Sequence, residues 1–102
     1  MSTSTPADLA IAFRSLPRRL REASILDVAP DAIATATSAL DSAVVASARL
    51  LGCSASVEAI ASRIDERRLD DWTAGDIESL QAYAREAGTA IRVVHDLADR
   101  AR

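Results

Sequence analysis

A chain of 102 residues, 49% hydrophobic but only 3% aromatic and carrying a formal charge of −3, has the length and apolar content for one domain with a modest core. One cysteine excludes an internal disulfide framework, no apolar run approaches the ~20 residues of a membrane span, and the N-terminus shows no secretory signal. The apolar residues are largely Ala, with Leu, Ile and Val, and the three Gly and three Pro leave few places to turn a sheet, so an all-α fold is expected.

All twelve basic residues are Arg, and there is no Lys and no Asn. Such a composition is that of a GC-rich bacterial coding sequence. A cytoplasmic bacterial location is the expectation, with export independent of a signal peptide as the alternative. Charge is unevenly placed: Arg14, Arg18, Arg19 and Arg21 face only Asp8 and Glu22 in the first 26 residues, and the remainder is net acidic.

Residues 1–6 read as a disordered polar tail, with a cap near Thr5 and Pro6 at the first helical position; a single domain over 7–102 follows. Leu9, Phe13, Leu16, Leu20 and Ala23 share one face of a helix from Ala7 to about Ile25, with most Arg residues facing away. Pro17 lies inside it, and an interior proline costs roughly 3 kcal/mol. A break or kink near Ser15 to Pro17 is therefore expected. Pro30 and Asp31 suit the first turn of a second helix, Pro30 to Leu51. Its stripe is Ile33, Thr37, Leu40, Val44, Ser47 and Leu51, and Gly52 stops it.

Beyond a turn at Cys53, Ser54 or Ser56 caps a third helix over residues 57–72. Val57, Ile60, Ile64, Leu69 and Trp72 are placed inward, and Arg63, Asp65, Glu66, Arg67, Arg68, Asp70 and Asp71 outward, pairing with one another. Thr73 to Asp76 resembles a capping box with Asp in place of Glu. The last helix then runs to the end of the chain. Ile77, Leu80, Ala84, Ala87, Ile91, Val94, Ala98 and Ala101 alternate steps of three and four along it, marking one helical face. Short connections imply antiparallel neighbours, and the expected fold is a compact antiparallel bundle of about four helices, the first kinked or split at Pro17.

The middle of the last helix is unusually bare. Ala82, Ala84, Ala87, Gly88 and Ala90 leave little side chain over two turns. Gly88 in a helix interior costs about 1 kcal/mol relative to Ala, so something should offset it. Either a close neighbouring helix or a bulky side chain such as Phe13 fills the hollow, or a partner does.

Chemistry-bearing residues are sparse. His95 and Asp99 stand at i and i+4, too few ligands for a metal, and read as a surface histidine paired with a carboxylate. Cys53 has no base fixed beside it and reads as a half-buried turn residue. No phosphate loop, dinucleotide fingerprint, zinc-protease or nucleophile-elbow pattern is present. The four clustered Arg residues suit an acidic partner, while the acidic pI of about 5.0 and the lack of stacking aromatics disfavour nucleic acid.

Trp72-Thr73-Ala74-Gly75 at a helix junction, with the Ala- and Ser-rich acidic composition and the length of the chain, resembles the WXG100-type proteins exported by type VII secretion systems. That resemblance implies a helical hairpin and signal-peptide-independent export. The pattern departs from the family's: its spacing is Trp-x-x-Gly, it lies two thirds along the chain, and Tyr83 is followed four residues later by Ala87 instead of an acidic residue.

The sequence thus leads to a non-catalytic helical interaction module without cofactor or metal. It docks helix to helix with another protein or with itself, as a homo-oligomer or hetero-complex. Ala84, Ala87, Gly88 and Ile91 are expected to form the docking seam, and Arg14, Arg18, Arg19 and Arg21 a surface for an acidic partner. The alternatives are a nucleic-acid-associated regulator using the Arg cluster and a WXG100-like export substrate.

Overall fold

The structure, a computed structural model, describes residues 6–25 and 29–101. Four helices form an all-α bundle: α1 (Pro6–Ser24), α2 (Pro30–Leu51), α3 (Val57–Glu66) and α4 (Ala74–Arg100), with one 3-10 turn at Leu69–Asp71 before α4. No strand occurs among the described residues. The tail and Thr5 cap expected at the N-terminus lie outside them, apart from Pro6, which opens α1.

Caps and stops set the helix ends. Gly52 closes α2 in the left-handed conformation, φ 68°, and its N–H donates to the Ala48 carbonyl, as does that of Cys53 at 3.0 Å. Glycine adopts this conformation without the penalty of a Cβ. Ser56 caps α3, its Oγ accepting from the Ala59 N–H at 3.1 Å. Thr73 caps α4, its Oγ1 accepting from the Asp76 N–H at 3.1 Å.

Three expectations are corrected. First, no break divides α1, which is one helix from Pro6 to Ser24 with Pro17 inside it. Phe13 and Leu16 on either side of the lost hydrogen bond are 0% and 2% exposed. Burying two such side chains contributes about 1.5–3 kcal/mol each, enough to offset the proline. Second, α3 ends at Glu66 and not near Trp72. Arg67 turns extended (φ −72°, ψ 131°), and its guanidinium holds the next segment: it donates to the Asp71 carbonyl at 2.9 Å, pairs with Asp76 at 3.1 Å and stands 4.6 Å over the Trp72 ring. Asp76 therefore serves this pair, and not the reciprocal arm of a capping box.

Third, helices consecutive in the chain are not the main packing partners. α1 and α2 each lie against all three other helices, the closest associations being α4 with α2 and α1 with both α3 and α4. Among the described residues, no Cα of α3 comes within 8 Å of α4. The segment pinned by Arg67 thus carries the chain across the bundle. This also removes the hairpin that the WXG100 resemblance implies at Trp72–Gly75.

The core collects one stripe from each helix. Leu9, Phe13, Leu16 and Ala23 come from α1, Leu40, Val44 and Leu51 from α2, Ile60 and Ile64 from α3, and Leu80, Ala87, Ile91 and Val94 from α4. On α2 the expected face is buried at Leu40, Val44, Ser47 and Leu51 and widened by Ala36, Ala43 and Ala48, while Thr37 alone of the expected stripe is exposed, its Oγ1 donating to the Ile33 carbonyl at 2.8 Å. The larger residues of the stripe set the face, and alanine, small enough for either environment, fills its flank.

Candidate docking groove between the first and last helices

A surface groove of about 600 Å³ runs between α1 and α4. Asp8, Leu9, Ala12 and Arg19 form its α1 wall, and Gln81, Ala84, Arg85, Gly88, Thr89 and Arg92 its α4 wall. The spacing explains the membership. Gln81, Arg85, Gly88 and Arg92 follow each other at four, three and four residues, one stripe of α4 beside the buried stripe of Leu80, Ala87, Ile91 and Val94. Asp8, Ala12 and Arg19 take the equivalent flank of α1 beside Leu9 and Leu16.

The four seam residues separate. Ala87 and Ile91 are 0% exposed and belong to the chain's own core, covered by its other helices. Ala84 and Gly88 are half-buried and line the groove. Phe13 does not fill the hollow at Gly88. The side-chain atom nearest a Cβ built on Gly88 is Arg19 Nη1, at 3.7 Å, ordinary van der Waals contact. The guanidinium of α1 therefore lies over a bare patch of α4 backbone that would accept a methyl group.

The Arg cluster is also divided. Arg14 crosses to α3 and donates to Asp65 at 2.9 Å, with both side chains well exposed. Arg18 lies 3.9 Å from Glu22 on the same exposed helix face. Arg21 is exposed and in no ion pair among the described residues. Only Arg19 reaches the groove, where Arg85 and Arg92 join it. Those two escaped the sequence reading. The available signal was their separation by two helical turns on either side of Gly88, which becomes meaningful only once α1 is placed alongside.

The remaining candidates stay apart. Cys53 is half-buried at a second, shallower concavity with Arg63 and Glu66, where Arg63 donates to the Gly52 carbonyl at 3.4 Å. His95 is half-buried and makes no ion pair with Asp99 among the described residues. The acidic run does pair, but across elements through Arg14–Asp65 and Arg67–Asp76 and not within one helix. Among the described residues no three His, Cys, Asp or Glu side chains gather to hold a metal. No helix there is long and apolar enough to cross a membrane.

Compared with known proteins, the chain matches no family profile, no curated protein and no solved structure.

Proposed function

We propose that the protein is a non-catalytic interaction module that receives a helix, from another protein or from a second copy, in the groove between α1 and α4. The observation that carries this reading is Gly88. Interior glycine costs a helix about 1 kcal/mol, yet nothing inside the fold requires it, since a Cβ there meets only the tip of Arg19 at 3.7 Å. A partner backbone approaching over Ala84 and Gly88 supplies the missing reason, because small residues are what allow close helix approach. Ala84 and Gly88 are the docking floor; Ala87 and Ile91 support it from below.

The test is the solution mass, measured alone and with the proteins encoded beside this one, for the native chain and for Gly88→Leu. The Cβ of the new side chain meets only the tip of the flexible Arg19, at 3.7 Å, and circular dichroism checks that the variant folds. Association present in the native chain and lost in Gly88→Leu is the expected result. Association that survives the substitution, or none with itself or those proteins, refutes the reading.

A further inference from the structure

Resting on that docking reading, we infer that the groove is built for an acidic helix of another protein, whose carboxylates meet Arg19, Arg85 and Arg92. These three guanidiniums ring the small-residue floor, and none is in an ion pair or hydrogen bond among the described residues. Arg14, Arg18 and Arg67, by contrast, each have a carboxylate at hand. An Arg fork accepts a carboxylate in two parallel hydrogen bonds, and three unpaired forks around one hollow are complementary to a negative occupant.

Dimensions select the kind of occupant. Asp8 to Arg19 and Gln81 to Arg92 each cover eleven residue steps, about 17 Å at the helical rise, or three turns of a docked helix. Arg85 and Arg92 stand seven residues apart, roughly 10 Å along the axis. A helix lying along α4 meets both with carboxylates at i and i+7, or i and i+8, and its own small residues rest on Ala84 and Gly88. The bounded length disfavours a nucleic-acid strand. The chain carries net charge −3, so a longer polyanion running beyond the groove meets a surface of like sign.

A display library of 15-residue helices tests this, with five positions on one face randomised among Glu, Lys, Gln, Leu and Ala and the intact chain as bait. Selected helices should be enriched in Glu pairs seven or eight residues apart. Their affinity should fall about tenfold for Arg85→Gln/Arg92→Gln, as two exposed ion pairs are lost, and should weaken with salt. It should stay within twofold for Arg68→Gln, a control outside the groove. Binders without Glu enrichment that are still lost in Gly88→Leu overturn the acidic partner and leave the docking groove standing. Binders indifferent to Gly88→Leu, or no binders, overturn both. Tighter binding of a labelled 20-nucleotide DNA strand that depends on Arg85 and Arg92, or self-association that needs them without Glu-bearing binders, assigns the groove to another occupant and overturns the inference.

Discussion

Replacing Gly88 with Ala isolates the property on which the functional reading depends. The position lies in the interior of a 27-residue helix, where Gly→Ala contributes about 1 kcal/mol of helix propensity, chiefly by restricting the unfolded chain. A fold that needed the glycine would oppose this gain with a clash. Here the added methyl stands 3.7 Å from Arg19 Nη1 and near no other side chain or neighbouring backbone, so the gain is kept. The expected result is a native fold more stable by about 0.5–1 kcal/mol, a melting temperature higher by about 4 °C, and a raised urea midpoint with unchanged slope. Thermal and urea unfolding followed by circular dichroism measure all three. A lower midpoint would show that Gly88 serves internal packing, and the case for an external partner at this place would fall with it. Gly52→Ala is the contrasting control: at φ 68° a Cβ costs roughly 1–2 kcal/mol, although the space around it is open.

Other substitutions probe the core and the crossing segment. Ile91→Ala should cost about 2–5 kcal/mol in urea unfolding, because Ile91 is fully buried in the packed centre of the bundle; a loss below 1 kcal/mol would place it at an interface instead. Arg67→Ala removes a hydrogen bond to Asp71, the pair with Asp76 and the contact with Trp72, and should cost about 1–2 kcal/mol together with a change in Trp72 fluorescence. Unaltered fluorescence would refute the stacked arrangement. Ser47→Ala removes a fully buried hydroxyl that has no hydrogen-bond partner among the described residues. Relieving an unsatisfied buried group should raise stability by about 1 kcal/mol, and a destabilised variant would reveal that the hydroxyl has a partner.

Much of this architecture was legible without coordinates. The periodicity of α4 predicted its buried face from Leu80 to Ala98, Pro30 and Gly52 marked both ends of α2, and Thr73 marked the start of α4. These are local effects: apolar spacing, cap chemistry and the conformational freedom of glycine act within a few residues, so the sequence carries them directly. The misplaced features depend on side-chain contacts that helical spacing does not encode. Pro17 stays helical because distant residues bury Phe13 and Leu16. α3 stops early because Arg67 finds Asp71, Trp72 and Asp76. On α2 the buried face followed Leu40, Val44 and Leu51 as expected, and only Thr37 fell outside it, with Ala36 and Ala43 buried instead.

The sequence by itself determined four amphipathic helices with a bare, glycine-containing stretch in the last. Only tertiary packing decided which part of that stretch is core and which is surface. Placing α1 against α4 sealed Ala87 and Ile91, left Ala84 and Gly88 at the floor of a groove, and brought Arg19 to Arg85 and Arg92 across more than sixty residues of chain. Helical periodicity tells which residues share a face, but a face becomes core or groove only when a second helix lies along one flank of it and leaves the other uncovered.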